Sequence, residues 1–223
     1  MPWLVDVSAR NVALPVGAPV PILDLKAKGT IIGKELNLPE IEARLLSGSA
    51  TAKLRADWKQ HIAMQAEVTT KNVDIGDLTG VFTRDIALGG KMDGTFTIAA
   101  TSPAIGQLLD RPQVSGNFDV KDGSIGNADL VQAMRSPDSA GRGGQTKFGE
   151  LVGQLRAGDG VIRFERLRLV GGVLLANGGV TLNNGSGALG GSVSAEIRSS
   201  VAQDRGTFGV SGTVARPVLK RGG

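Results

Sequence analysis

The chain has no cysteine and no tyrosine, and His61 is its single histidine. Disulfides, thiolate metal sites and cysteine nucleophiles are therefore excluded, and one histidine leaves little basis for zinc binding or His-dependent catalysis. Aromatic residues make up 4% of the chain and hydrophobic residues 41%, so the apolar surface is mainly aliphatic. We expect a protein that is not an enzyme and that holds no metal or other cofactor.

Long hydrophobic runs and strong charge are also missing. No apolar segment approaches the about 20 residues that span a bilayer, and no secretory signal pattern opens the sequence. We therefore expect a soluble protein or a piece of an exported or anchored one. The net charge of +4 comes from 25 basic and 21 acidic residues, without a basic stripe interleaved with aromatics. This composition predicts no nucleic-acid partner.

What the sequence does contain is apolar and polar residues in alternation, in segment after segment. In one of them Ala52, Leu54 and Ala56 alternate with Lys53 and Arg55. Residues at this period point to opposite faces of a strand, so each segment predicts a strand with one apolar face. Short breaks between roughly ten to thirteen such segments favour antiparallel connections. The predicted fold class is all-β with minor α, a strongly curved antiparallel sheet that forms an apolar groove as a single domain over 1–223.

Two irregular places in this sheet are predicted from local signals. Residues 1–22 are interrupted by prolines, which lack the N–H needed for a sheet ladder, so this stretch should be an irregular start or an edge strand. The strand over 161–170 shows a slip in its alternation. A β-bulge near Glu165 and Arg166 would turn the apolar residues on both sides of the slip to one face.

Helices are expected to be few and short. Either Asp74 or Asp77 is the candidate cap of one helical turn, and Asn127 is the candidate cap of a helix over 128–135. Composition also predicts a mobile loop over 136–145. Tight turns are expected at Asp93-Gly94, Asp122-Gly123 and Asp159-Gly160.

The predicted apolar face is too large to stay bare. At about 4.8 Å per strand the flat sheet would be on the order of 50 to 60 Å wide, and short helices cannot cover it. The face must therefore pack sheet on sheet as a sandwich, or curl into a groove or barrel around acyl chains. The aliphatic composition favours the groove. Its predicted lining residues are Leu54, Ile62, Met64, Val68, Phe118, Ile162, Phe164, Leu167, Leu169, Val180, Leu182, Val193, Ile197, Phe208 and Val210.

Two further motifs have ordinary explanations. The stretch 185–190 spells a dinucleotide-binding fingerprint, but a strand is expected after it where a phosphate-binding helix is required, so a hairpin loop is the better interpretation. Near the bulge, Arg156, Arg163, Arg166 and Arg168 form a candidate basic patch. Such a patch is usually a solvated face, and contact with lipid headgroups is the alternative.

The sequence also resembles a known family. The stretch Val-Ser-Gly-Asn-Phe-Asp-Val-Lys-Asp-Gly-Ser-Ile over 114–125, followed by Ala128-Asp129-Leu130, is similar to a strand, turn and short helix in the C-terminal region of the AsmA family. Glycine and apolar positions over 146–182 and 210–217 are similar to that family's closing strands. The resemblance covers about Asn72 to Pro217, and the preceding residues are compatible with it.

The resemblance implies a bacterial envelope protein of the repeating β-groove, bridge-like lipid-transfer type. Its implied partners are phospholipids or other acyl lipids, together with inner-membrane and outer-membrane proteins. The implied location is the periplasm, within an inner-membrane-anchored protein whose anchor is absent from this chain. We therefore expect a lipid-binding and lipid-transfer module that supports outer-membrane biogenesis. The alternative is a non-enzymatic envelope scaffold that influences the assembly of outer-membrane proteins.

Overall fold

A computed structural model describes residues 1–16, 18–45, 47–82, 87–136, 142–198 and 203–222. Within these residues thirteen strands form one antiparallel sheet in which each strand pairs with its neighbours in the sequence. The strands are β1 Trp3–Val16, β2 Ala18–Ile32, β3 Glu35–Leu45, β4 Gly48–Asp57, β5 Ile62–Asp74, β6 Leu88–Ser102, β7 Gln113–Ala128, β8 Arg142–Gly158, β9 Val161–Gly171, β10 Leu174–Asn183, β11 Leu189–Arg198, β12 Gln203–Thr213 and β13 Arg216–Arg221.

In the described part of the chain, two short α-helices and one 3-10 turn interrupt the meander. Helix α1 spans Ile75–Phe82 between β5 and β6, and helix α2 spans Leu130–Arg135 between β7 and β8. The 3-10 turn covers Ile105–Gln107. The predicted all-β class with a curved antiparallel sheet and minor helix is therefore confirmed.

The sheet is strongly curved. Strand β13 is six strand positions from β7, which is about 29 Å in a flat sheet, yet β13 lies against both β7 and β8. At the other end of the molecule the eight-residue helix α1 contacts β2 as well as β5 and β6. The contact of β13 with β7 and β8 requires the strands to curl toward one side, which we call the inner face.

The predicted bulge in β9 is confirmed. Arg166 has a positive φ of 52°, and the pairing of β8 with β9 shifts between Val152 and Gln154. Because of this extra residue, Phe164 and Leu167 both pair with even-numbered residues of β10. The bulge thus keeps the apolar residues before and after it on one face of the sheet.

The start of the chain forms an edge strand, which was one of its two predicted forms. Strand β1 begins the sheet and pairs with β2 along its length. The turn at Asp159-Gly160 is also confirmed, since β8 ends at Gly158 and β9 begins at Val161.

Two other predicted turns are wrong. Strand β6 continues through Asp93-Gly94, and β7 continues through Asp122-Gly123. Asp122 has a positive φ of 49°, so the dipeptide bends the strand without ending it. Long flanking strands on both sides supply the ladder partners that keep the chain extended there.

The predicted cap and start of the second helix are also wrong. Strand β7 runs to Ala128, and the cap is Asp129, whose carboxylate accepts a hydrogen bond of 2.9 Å from the backbone N–H of Gln132. The Thr146 hydroxyl donates to the carbonyl of Ala128 at 2.8 Å and accepts from the N–H of Leu130 at 3.0 Å. This bridge holds Ala128 in the sheet and delays the helix by two residues.

The predicted loop over 136–145 is wrong at its C-terminal end. Residues 142–145 belong to β8, and residues 137–141 lie outside the described part of the chain. At the glycine-rich stretch 185–190, a turn over 184–186 leads into β11, which begins at Leu189. Within this turn, the side-chain oxygen of Asn183 accepts hydrogen bonds from the backbone N–H groups of Gly185 and Ser186.

Candidate functional site

The inner face is a continuous apolar surface that crosses most of the sheet. Directly paired residues of neighbouring antiparallel strands lie on the same face, so the pairing register traces this surface from strand to strand. One row runs across eight strands, from β4 to β11. It consists of Leu54, Ala66, Ile98, Val114, Ala157, Ile162, Leu182 and Leu189.

The register places all fifteen predicted lining residues on this inner face. Their degree of burial divides them into two groups. Four are buried in a packed core, and the other eleven are half-buried. The four in the core are Leu169, Ile197, Phe208 and Val210. The half-buried ones are Leu54, Ile62, Met64, Val68, Phe118, Ile162, Phe164, Leu167, Val180, Leu182 and Val193.

The inner face of β7–β13, which we call the packed half, is filled by the protein's own side chains. Phe208 is fully buried at 0% exposure, and Met134 of α2 is buried beside the same strands at 1%. The Arg221 guanidinium, at the end of β13, donates a hydrogen bond of 3.2 Å to the carbonyl of Met134. Helix α2 thus occupies the inside of the curl and is tied to the last strand.

Phenylalanine rings cover glycines along the inner face. A Cβ atom on Gly116 would lie 2.5 Å from the Phe96 ring and 2.3 Å from the Thr95 carbonyl oxygen. One strand further on, the Phe118 ring of β7 lies over Gly153 of β8. Only a residue without a side chain permits this approach, so the pairs of glycine and ring make a closely packed floor at the middle of the sheet.

The inner face of β1–β6, which we call the open half, is covered much less. Along β4 and β5, Leu54, Ile62, Met64 and Val68 are half-buried, whereas the outer residues Lys53, Arg55, Gln65 and Glu67 are exposed. Helix α1 contacts β2, β5 and β6 but has only eight residues. No other described helix lies against these strands. An aliphatic surface several strands wide is therefore accessible from one side.

The outer face of the open half is polar and carries charges of both signs. In the row next to Leu54, Lys53 pairs across the strands with Glu67. Asp24 of β2 lies 2.6 Å from the Arg44 guanidinium of β3, and the two are cross-strand partners. One face of the same strands thus suits water and the other suits apolar groups.

Helix α1, at one end of the open half, begins at a carboxylate whose pKa is shifted by its neighbours. Burial raises the pKa of the Asp74 carboxyl, but hydrogen bonds from the Asp77 N–H, the Lys91 ammonium and the Gly76 N–H outweigh it and leave this pKa below its ordinary value. The contact distances are 3.1 Å, 3.0 Å and 2.9 Å in that order. Of the two predicted candidates, Asp74 is therefore the cap of α1.

Two of the four arginines in the candidate basic patch near the bulge lie beside a glutamate. Arg156 lies 3.5 Å from Glu165, and Arg168 lies 3.9 Å from Glu150. Arg163 pairs across the strands with Arg156, at the edge of an outer depression of about 480 Å³. This depression contains none of the predicted lining residues.

A part of the inner face was not predicted from the sequence. Val5 and Ala9 of β1 pair with Gly29 and Leu25 of β2, which extends the apolar surface to the edge of the sheet. The signal was present, because Val5, Val7 and Ala9 alternate with polar residues. The prolines further along the segment led to an irregular start as the other interpretation.

The described residues contain no group of three or more His, Asp or Glu side chains placed to hold a metal ion. Within the same residues, no helix has the length and apolar character needed to cross a membrane. Comparison of the chain with protein-family models, with curated proteins and with solved structures gave no match.

Proposed function

We propose that this protein is a lipid-binding module that shields acyl chains on the inner face of the open half. The observation that carries the proposal is the aliphatic surface of β1–β6, which is curved, half-exposed and covered at one end by α1. A soluble protein rarely leaves a contiguous apolar surface of this extent without an occupant.

The chemistry of the two faces suits a lipid. Burial of acyl methylenes against Leu54, Met64 and Val68 would contribute about 0.8 kcal/mol for each CH₂ group. A headgroup at the open side of the groove would remain in water and keep its hydration. The mainly aliphatic lining offers no fixed pattern of polar contacts, which suits a chain of variable length and unsaturation.

The resemblance to the AsmA family supplies the proposed setting. In that setting the protein acts in the periplasm of a Gram-negative envelope, as part of a protein anchored in the inner membrane. It passes phospholipid or another acyl lipid along its groove and so supports outer-membrane biogenesis. No catalytic step is required, because transfer needs only a continuous apolar path.

A second candidate function is an envelope scaffold that influences the assembly of outer-membrane proteins. The filled core of the packed half favours it, because Phe208 and Met134 occupy the space that a lipid would need there. Under this hypothesis the open half would bind a protein partner instead of an acyl chain.

The first experiment is extraction of the purified native protein with organic solvent, followed by mass spectrometry. Met64 of β5 faces inward and is half-buried, and its neighbour Gln65 faces outward and is exposed. A carboxylate against acyl chains would lose several kcal/mol of hydration, so we expect Met64→Asp to retain less than about a tenth of the lipid of the wild type.

The matched control is Gln65→Asp, which lies across from Arg55 on the outer face and should retain its lipid. Circular dichroism and thermal melting of both variants show whether they are folded. Equal lipid in a folded Met64→Asp variant, or no lipid in the wild type, would favour the scaffold function.

A further inference from the structure

Strand β1 leaves one long edge of the sheet unpaired. It has 14 residues, and in the described structure its ladder partner is β2 alone. The edge is also apolar in places, since Trp3 is 74% exposed and Leu4 is 89% exposed. Edges of this length usually carry a device that blocks pairing, or they pair with another strand.

Charges alternate from strand to strand on the outer face beside this edge. One row consists of Asp6, Lys28 and Glu40, in the order negative, positive, negative. The row two ladder steps further on consists of Arg10, Asp24 and Arg44, in the opposite order. At the free edge one row therefore ends in the negative Asp6 and the other in the positive Arg10. These two residues are four positions apart on β1.

From this pattern we propose that two copies of the chain pair edge to edge, antiparallel, through β1. The pairing has Ser8 of one copy across from Ser8 of the other. In this register Asp6 of each copy faces Arg10 of its partner copy, so the alternation of charge continues without a break across the junction. Opposite charges directly across an antiparallel pair stabilise it, and like charges destabilise it.

Neighbouring registers lack this match. Only shifts by an even number keep the apolar residues of both copies on one side. A shift of the facing pair to Asp6 with Asp6, or to Arg10 with Arg10, sets like charges opposite each other. In registers centred on Val7 or Ala9, Asp6 of one copy does not face Arg10 of the other. In the proposed register Val7 faces Ala9 on the inner side, and both are apolar.

The symmetry of the proposed dimer has a structural consequence. A two-fold axis perpendicular to the sheet at Ser8 keeps both inner faces on the same side. The two open halves would then form one apolar surface of double width. The dimer does not depend on lipid binding, so its test is separate from that of the proposed function.

The absence of cysteine provides a direct test of the register. In the full-length chain Ser8→Cys places one thiol across from its copy, with Cα atoms about 4.5 to 5.5 Å apart, which a disulfide can span. Leu4→Cys lies on the same strand at a position that is 89% exposed, but its two copies would be about 27 Å apart. We expect a covalent dimer from Ser8→Cys under mild oxidation and no covalent dimer from Leu4→Cys.

Charge exchange tests the same contact in solution. Sedimentation of Asp6→Arg should show a dimer dissociation constant raised about tenfold or more. The double variant Asp6→Arg with Arg10→Asp restores both intermolecular pairs, so it should recover most of the affinity, with circular dichroism as the check on folding. A wild type that stays monomeric over a dilution series, or equal cross-linking of the two cysteine variants, would overturn the proposal.

Discussion

At the scale of the residue, the inner face depends on positions where a side chain is absent. Gly116 of β7 is such a position, because the neighbouring strand brings the Thr95 carbonyl oxygen and the Phe96 ring within 2.5 Å of where its Cβ would be. The Phe96 ring therefore lies close against the backbone at Gly116. Close packing of this kind tolerates no added atom unless the backbone shifts.

We predict that Gly116→Ala lowers the free energy of unfolding by about 1 to 3 kcal/mol, because the new methyl group would overlap backbone and ring atoms. Chemical denaturation followed by circular dichroism measures the change. Gly149→Ala is the control on β8, since its Cβ would be 3.8 Å from the nearest atom, the Val170 carbonyl oxygen. If the two variants prove equally stable, the close approach at Gly116 is not a constraint.

Residues with the same pattern in the sequence have different roles in the structure. Val193 and Met64 both lie at inward positions of alternating strands and are both half-buried. Val193 packs against the core cluster beside Phe208, its cross-strand partner. A charge at Val193 would therefore test folding, whereas a charge at Met64 tests occupancy of the open half.

At the scale of the element, each of the two helices is capped by an aspartate at its N-terminal end. The Asp74 carboxylate accepts from two N–H groups at the start of α1 and from Lys91 of β6. Asp129 caps α2 in the same way. Both helices have too few residues to be stable alone, so their caps and their contacts with the sheet maintain them.

The cap of α1 leads to a prediction about pH. Because the pKa of Asp74 is lowered in the folded state from its ordinary value of 3.8, its contribution to stability is present above about pH 4 and is lost as the pH falls further. We expect Asp74→Ala to be about 1 kcal/mol less stable than the wild type at neutral pH. This difference should shrink below pH 4.

Thermal or urea unfolding of both proteins at several pH values measures this difference. Asp77→Ala is the control, because the Asp77 side chain lies in the first turn of the helix while its backbone N–H, which bonds to Asp74, is retained. A difference between wild type and Asp74→Ala that stays constant through acid pH would contradict the assigned role of the carboxylate.

At the scale of the whole molecule, one sheet joins two halves with different packing. The packed half has a continuous core that includes Phe208, Leu174 and Met134. In the open half the fully buried residues are fewer, and Ala66 and Val73 are examples. Stability should therefore be uneven along a single hydrogen-bonded structure.

We predict that hydrogen exchange is slowest in β8–β11 and faster in β1–β3. Amides of these four strands need larger openings to exchange, because each strand contributes buried side chains to the core of the packed half. Exchange of the purified protein, followed by mass spectrometry of peptides, measures the contrast. Addition of the bound lipid should slow exchange in β4–β6. Equal protection from hydrogen exchange in the packed half and the open half would contradict the division of the sheet into these two halves.

Much of the local structure followed from the sequence alone. Alternation predicted strands that pair in sequence order, and the slip before Leu167 predicted the bulge at Arg166, because the two faces of a strand repeat at a period that local residues define. Local signals failed at Asp122-Gly123 and at Asn127. There the ladder partners in β6 and β8, and the bridge from Thr146, kept β7 extended.

Which part of the apolar face is covered was decided only by the tertiary structure. The sequence determined that such a face exists, since every strand carries its own alternation. The return of β13 to β7 and β8, and the position of α2 inside that curl, depend on twist and bulges accumulated over many strands. No local pattern encodes this sum, so Ile197 became part of a core while Leu54 remained on an open surface.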